Sequence, residues 1–375
     1  MTGSLKRRSG GWAFRVDVGA DPSTGRRCQV SKQGFATKRA AEQAMAEVVR
    51  VRRPPAPRSA PSTWSLGEYL GQWLTGEAAH VSPATLRTYR VAIGRVVALL
   101  GDIPSSRLSG ADVAAWQQQL LHPDDGGRGL SPATVRNTRA VFHKALSDAV
   151  RLELLDRNVV AATDPPAKVA RNTTGVWTAE ELRRFLDHVR GHRLSLAFQL
   201  LATTGMRRGE LLGLRWGDVD WDRGALSVVR SLGLVDGELL MSPGKTATSR
   251  RLMFLDSVTL DDLRAHFQRA VDDGVGGDSD AVFAARNGGL LHPDSFSNTF
   301  DRLVTAAGVP RIRLHDLRHT YATLALHAGM HPVVLAERLG HSTVATTMDL
   351  YAHVTPAISR DGADIVANAL FGPHL

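Results

Sequence analysis

"LHDLRHTYATLALHAGM", residues 314–330, places two histidines and an arginine within five positions at the start of an otherwise apolar helical pattern. At about 100° per residue, His315, Arg318 and His319 share one face of such a helix. The apolar residues of the stretch fall on the opposite face. The pattern therefore predicts a helix that packs on one side and presents cations on the other.

A second stretch, "TTGMRRGELLGLRW" at residues 203–216, contains a pair of adjacent arginines. Arg207 and Arg208 fall at a predicted loop-to-helix junction, and Glu210 follows closely enough to orient a guanidinium. Arginines that converge with histidines suit a phosphoryl group, because each planar guanidinium can bind two oxygens. The two stretches together predict a site for a phosphate.

Lysine is rare in the C-terminal part of the chain. From residue 171 onward there are 21 arginines and one lysine, which is Lys245 in "MSPGKTATSRR". Arginine cannot release a proton near neutral pH, whereas lysine can. Lys245 is therefore a candidate general acid, although a lone lysine in a turn before a strand is equally ordinary.

Two tyrosines follow in the same part of the chain. Tyr321 lies on the apolar face of the predicted helix and is expected in the core. Tyr351 lies in "LGHSTVATTMDLYAHV", among polar residues and after a turn-like His341. Because the chain has no G-x-S-x-G, H-E-x-x-H or P-loop motif, and its one cysteine, Cys28, lies elsewhere, Tyr351 remains as the candidate nucleophile.

These stretches, in this order, resemble the successive boxes of the tyrosine recombinase (phage integrase) family. The resemblance gives catalytic roles to six residues, with Arg208 and His319 as supporting neighbours: Arg207, Lys245, His315, Arg318, His341 and Tyr351. It implies an enzyme that cuts DNA one strand at a time through a 3′-phosphotyrosyl link. It also implies that no metal or nucleotide cofactor is needed, since the phosphotyrosyl bond conserves the energy used to reseal the strand.

The positive charge is concentrated at the N-terminus. The chain has a net charge of +9, and residues 1–58 hold 13 lysines and arginines against 4 aspartates and glutamates. Within them, "GGWAFRVDVGADPSTGRRCQV" alternates apolar and polar residues around a turn, which predicts a β-hairpin, and a helix is predicted from Thr37. A basic module of this kind suits nucleic acid, and a solvated basic tail is the alternative. Residues 1–58 resemble the arm-binding module of integrases.

The remaining chain divides into two predicted domains. In residues 66–158, "VSPATLRTYR" and "LSPATVRNTR" each open a long helix with serine at the N-cap and proline at the first helical position. We expect a helical core-binding domain whose helix arginines face solvent. Residues 174–375 mix helices and strands and predict an α+β catalytic domain. The fold class is thus multidomain and mainly α, with a small N-terminal β-hairpin-plus-helix module.

The predicted function is a site-specific recombinase that integrates or excises a phage or other mobile element. Its expected partners are double-stranded DNA, at core sites and arm sites, three further copies in a homotetramer, and an accessory DNA-bending or directionality factor. A type IB topoisomerase and a non-catalytic DNA-binding regulator are the alternatives. The arm-like module argues against the first and the six intact positions against the second. With no membrane-length apolar run and no apolar signal peptide core, the expected location is the cytoplasm.

Overall fold

The computed structural model describes residues 3–8, 11–20, 27–51, 64–124, 126, 129–168, 175–243 and 250–340. The chain divides into two compact units, Met1–Val169 and Ala170–Leu375. None of the helices within these described ranges is both long and apolar enough to cross a membrane.

The N-terminal module is a three-stranded antiparallel sheet packed on one helix. In chain order its elements are β1 (Gly3–Arg8), β2 (Gly11–Ala20), β3 (Arg27–Phe35) and α1 (Lys38–Val51). Phe14 and Val16 of the central strand β2 are buried, as is Ala41 of α1, and the ring of Phe14 stacks on that of Phe35 at 5.7 Å. The burial of Phe14 and Val16 on either side of the exposed Arg15 matches the predicted alternation.

The hairpin prediction is incomplete, because it omits strand β1. The pairing of β2 with β3 is as expected, but β1 pairs with the other edge of β2, from Gly3 opposite Val16 to Arg8 opposite Gly11. The segment "GSLKRR" has no apolar alternation, since Leu5 is its one large apolar residue. An edge strand needs only backbone hydrogen bonds to its neighbour, and these leave no pattern in the sequence.

Four helices form the second part of the first unit. They are α2 (Leu66–Glu77), α3 (Pro83–Leu100), α4 (Gly110–Leu121) and α5 (Pro132–Arg151), followed by a short 3₁₀ helix at Val159–Ala162. The predicted caps of α3 and α5 are confirmed: the hydroxyls of Ser82 and Ser131 each accept the N–H three residues on, and proline follows each serine. Trp116 and Phe142 meet edge to face in the buried centre.

The expectation that the helix arginines face solvent is wrong for Arg136 and Arg139 of α5. Arg136 donates to the carbonyl of Pro166 over 2.6 Å. Arg139 donates to the carbonyl of Val160 over 2.6 Å and also to that of Thr163. The polypeptide that follows the helices is therefore held against α5 by two guanidinium groups. A helical repeat alone does not reveal such contacts, because the partner carbonyls come from an irregular segment.

The second unit is α+β, as predicted. Its elements are α6 (Ala179–His188), α7 (Ser195–Thr204), α8 (Arg208–Leu212), β4 (Val219–Asp220), β5 (Ala225–Val228), β6 (Arg230–Val235), β7 (Glu238–Pro243), β8 (Arg251–Phe254), α9 (Ser257–Asp272), α10 (Pro293–Ala307), α11 (Asp316–His327) and α12 (Pro332–Leu339). Strands β4, β5 and β8 form one antiparallel sheet in that order, and β6 and β7 form a hairpin.

An aromatic core holds the helices of the second unit together. Trp177, Phe185, Phe198 and Phe300 are buried and lie with their ring centroids 5.1 to 6.0 Å apart in successive contacts. The backbone N–H of Trp177 donates to the hydroxyl of Thr320 over 3.1 Å. Helix α11 is thus bound to the segment that opens α6, and it also packs against α7.

Candidate active site

Arg207 lies at the turn that joins α7 to α8. Gly205 ends α7 with φ of 65°, in the left-handed region that favours glycine, and a Cβ there would meet the Tyr321 ring at 2.4 Å. Arg207 then occupies the N-cap position of α8. The carboxylate of Glu210 accepts hydrogen bonds from the backbone N–H and from Nη1 of Arg207, each over 2.8 Å. The predicted orientation of a guanidinium by Glu210 is therefore confirmed for Arg207.

The prediction that α11 presents its cations on an open face is wrong for Arg318, which is buried, whereas His315 is exposed and His319 is half-buried. Arg318 is 5% exposed, and Leu317 directly before it and Ala322 one turn after it are also buried. The guanidinium donates to the carbonyl of Gly205 over 2.8 Å and to that of Leu339 over 2.7 Å. Those carbonyls end helices α7 and α12, which enclose the guanidinium of Arg318. Burial lowers the pKa of Arg318 to about 9, so the side chain still carries its charge at neutral pH.

His315 is the accessible member of the cluster. It directly precedes α11, and its ring meets that of His319 edge to face at 5.3 Å between centroids. Although its surface reaches solvent, the surrounding protein lowers the pKa of His315 by desolvation. The neighbouring charges of His319, Arg318 and Arg207 lower that pKa further, against an opposing effect of Asp316. The neutral form, which can accept a proton, is therefore favoured.

Arg251, at the start of β8, is a site residue that the sequence prediction missed. Its side chain is 5% exposed, and its Nη1 and Nη2 donate to the two carboxylate oxygens of Glu210 over 3.2 and 2.9 Å. Burial raises the pKa of Glu210, but the hydrogen bonds and charges of Arg251 and Arg207 outweigh it, and the pKa lies below its ordinary value. The sequence feature that could have revealed it is the Arg250–Arg251 pair. Successive side chains of a strand point to opposite faces, so one of two neighbouring arginines is expected to point inward.

The C-terminal end of α12 brings the three arginines together. The consecutive carbonyls of residues 338, 339 and 340 accept hydrogen bonds from Arg251, Arg318 and Arg207 over 2.6, 2.7 and 3.2 Å. The last carbonyls of a helix have no partner within the helix, and its C-terminal end favours positive charge. Two of the predicted catalytic residues thus converge on the residues that directly precede His341.

Three of the predicted site residues, Lys245, His341 and Tyr351, lie outside the described residues. Tyr321 is buried, as expected for a core residue. Arg208 turns away from its neighbour Arg207 and donates to the hydroxyl of Ser297 over 2.8 Å and to a carbonyl of α10.

A cleft of about 600 Å³ opens beside His315. Arg208, Arg311 and Arg313 line it together with Asp301, so its lining carries more positive than negative charge. Arg313 is paired with the buried Asp316, whose Oδ1 lies 2.8 Å from its Nη2. In the part of the chain that the structure describes, no group of three or more His, Cys, Asp or Glu side chains could hold a metal ion.

Comparison with known proteins identifies the family. Residues 176–357 match the phage integrase family, and residues 4–49 match an arm DNA-binding domain. Over 280 residues the chain is 32% identical to the tyrosine recombinase XerC of Corynebacterium glutamicum, which covers 73% of this chain and 82% of that protein. The chain belongs to the phage integrase family. It is a tyrosine-type site-specific recombinase with an N-terminal arm DNA-binding domain.

Other members of the phage integrase family match over more of the recombinase. The ICEBs1 integrase of Bacillus subtilis is 25% identical over 373 residues, which is 96% of this chain and 98% of that one. The solved structure of the Tn1549 transposon integrase in complex with a circular intermediate DNA superposes with a TM-score of 0.69 at 21% identity, covering 81% of this chain and all of that one. That likeness confirms the fold. The family match spans all six positions of the predicted site.

Proposed function

We propose that this recombinase integrates or excises a mobile element by cutting and rejoining one DNA strand at a time at its own attachment sites. Tyr351 attacks a backbone phosphate, which forms a 3′-phosphotyrosyl link and frees a 5′-hydroxyl. A 5′-hydroxyl from the partner strand then attacks that link and restores the phosphodiester. The observation that supports the proposal most strongly is the convergence of Arg207 and Arg318 on adjacent carbonyls at the end of α12.

The two arginines bind the scissile phosphate. The attack increases the negative charge on the nonbridging oxygens, and positioned cationic donors stabilise that charge. The side chain of Arg207 is 39% exposed, so its remaining N–H groups can reach a phosphate directly. Arg318, which is largely buried, contributes its charge at short range through its accessible edge.

Two proton transfers accompany cleavage. The hydroxyl of Tyr351, with an ordinary pKa of about 10, must lose its proton, and the neutral His315 accepts it. Lys245 donates a proton to the leaving 5′-oxygen, and His341 donates a hydrogen bond to the phosphate. In the resealing step each proton returns by the reverse route, so the reaction is balanced without a cofactor.

The assembly follows from the number of strands. Exchange between two duplexes breaks four strands, and each chain offers one nucleophile, so we propose a homotetramer on DNA.

Each part of the chain has its own role on the DNA. Residues 1–58 bind arm sites, and residues 66–158 bind core sites together with the catalytic domain at 174–375. An accessory factor bends the DNA or sets the direction. The reaction takes place in the cytoplasm. The match of residues 4–49 to an arm DNA-binding domain supports the binding of arm sites by the N-terminal residues. The mobile-element relatives support the integration or excision of such an element.

A trapping experiment tests the proposed chemistry. A DNA duplex that carries the junction of the chain's own element, nicked next to the cleavage site, loses its short 5′-hydroxyl strand after cleavage and so cannot be resealed. We expect a covalent protein–DNA band that survives denaturation and disappears in Tyr351→Phe. If wild type gives no band on this DNA, or if the band persists in Tyr351→Phe, the proposed mechanism is wrong.

A further inference from the structure

One carboxylate is shared by two arginines of very different exposure. Glu210 is buried and accepts two hydrogen bonds from Arg207 and two from Arg251. The side chain of Arg251 is 5% exposed, whereas that of Arg207 is 39% exposed. The buried partner of Glu210 is therefore Arg251, and Arg207 is the partner that faces solvent.

The charges of this group do not cancel. Arg251 and Glu210 form a bidentate pair, in which Nη1 donates to Oε1 and Nη2 donates to Oε2. Their side chains are 5% and 6% exposed, so both are excluded from water to the same extent. That pair is neutral as a unit. The charge of Arg207 is then left without compensation, although Glu210 still fixes the direction of its guanidinium.

We propose that Arg251 is a positioning residue that neutralises Glu210, so that Arg207 keeps its charge and its placement for the scissile phosphate. This inference rests on the proposed function of Arg207 as a phosphate-binding residue. Arg251 acts through Glu210 and is not assigned any contact with the DNA.

Loss of Arg251 has a definite electrostatic consequence. A buried carboxylate without its buried partner is strongly unfavourable, and Glu210 is left with Arg207 as its nearest hydrogen-bonded cation. The guanidinium of Arg207 is then drawn into a neutral pair with Glu210. A phosphate would meet a site that has lost one effective positive charge, even though every residue that touches it is unchanged.

A purely structural role for Arg251 gives a different expectation. Arg251 also donates to the carbonyl of Arg338, so it joins β8 to α8 and α12, and its loss lowers stability under either view. A structural role predicts that loss of Arg251 leaves the cleavage rate per folded molecule unchanged, or that a second substitution at Glu210 lowers this rate further. Neutralisation predicts that removing the charge of Glu210 as well restores activity.

The test is a double-mutant cycle in the full-length chain. The variants are Arg251→Gln, Glu210→Gln, the combination of both, and Arg251→Lys, which keeps the charge but loses the fork. Arg230→Gln is a matched control, because Arg230 is bonded to the buried Asp218 and has no assigned role in the site. Single-turnover cleavage of the nicked substrate is measured with enough protein to saturate the DNA. Thermal unfolding gives the folded fraction of each variant.

We expect Arg251→Gln to slow cleavage about 10- to 100-fold per folded molecule, in the range found when an outer partner of a site is removed. The combined variant and Arg251→Lys are both expected to cleave faster than Arg251→Gln, while Arg230→Gln loses stability and keeps its rate. If Arg251→Gln does not fold, Arg251→Lys and the combined variant decide: both must cleave within about tenfold of wild type. The inference is overturned if Arg251→Gln cleaves like wild type, or if the combined variant or Arg251→Lys is no faster than Arg251→Gln.

Failure of this inference is distinguishable from failure of the proposed function. If wild type gives no Tyr351-dependent adduct, the proposed function fails. If wild type gives the adduct and the cycle shows no recovery, only the role of Arg251 is wrong.

Discussion

The Nε atom of Arg338 donates a hydrogen bond to the hydroxyl oxygen of Tyr321 over 2.8 Å, where the tyrosine is buried against α12. The hydroxyl of Tyr321 therefore has a structural partner in the folded chain. Because Tyr321 has this partner, its expected role is structural, and it can be tested side by side with Tyr351, the proposed nucleophile.

Tyr351→Phe should abolish the covalent protein–DNA adduct and leave DNA affinity nearly unchanged, because only the nucleophilic oxygen is lost. Tyr321→Phe is the matched control. It removes one hydrogen bond and should lower the free energy of unfolding by about 1 kcal/mol while the adduct still forms. Denaturing gels and thermal unfolding measure the two effects. An adduct that persists in Tyr351→Phe and vanishes in Tyr321→Phe would reverse the assignment.

Lys245→Arg should slow cleavage by about 100-fold or more, although the charge is kept, because arginine cannot donate the proton to the leaving oxygen. A substrate whose 5′-bridging oxygen is replaced by sulfur needs no acid, since a thiolate leaves unaided. The variant should therefore cleave that substrate at close to the wild-type rate. Equal slowing on both substrates would show that Lys245 binds the DNA and does not act as an acid.

The rate of cleavage should fall with decreasing pH only below the ordinary histidine pKa of 6.5, because folding lowers the pKa of His315 and keeps it neutral. Burial is the main cause, and the charge of His319 adds to it. His319→Gln removes that like charge, so the acid limb of the pH–rate profile should move up toward 6.5. A profile that is unchanged in His319→Gln, or whose acid limb lies above 6.5 in wild type, would contradict His315 as the base.

Deletion of residues 1–58 should weaken binding to long DNA that carries flanking sites and reduce its salt dependence, because the whole excess of positive charge is removed. Cleavage of a short core-site substrate should continue when protein is in excess, since all six proposed catalytic residues lie beyond residue 200. Affinity across a salt series, with both DNAs, is the measurement. Equal affinity of the two proteins for the long DNA would show that the module does not contribute to binding.

Much of the fold could be predicted because its signals are local. The serine caps of α3 and α5, and the box in which Thr178 and Glu181 exchange hydrogen bonds at the start of α6, each lie within four residues of sequence. Strand β1 could not be predicted in the same way, since its evidence is pairing with β2 and not its own composition.

In the candidate site, too, local contacts could be predicted from the sequence and long-range contacts could not. Glu210 beside Arg207 is a contact three residues apart, and the sequence reveals it. The burial of Arg318 depends on carbonyls at residues 205 and 339, and the contact of Arg251 with Glu210 spans 41 residues. A helical wheel shows which residues share a face, but it cannot show that two other helices end against that face.

The three carbonyls that end α12 hold the arginines without cancelling them. A carbonyl is a dipole and not an ion, so it restricts the conformation of a guanidinium without neutralising its charge, unlike the carboxylate of Glu210. Ordering a side chain as long as arginine costs about 1.5 to 2 kcal/mol of rotamer entropy, and here that cost falls on folding and not on DNA binding. An incoming phosphate would therefore meet a preorganised site. It follows that unwinding the last turn of α12 would weaken phosphate binding even with every arginine intact.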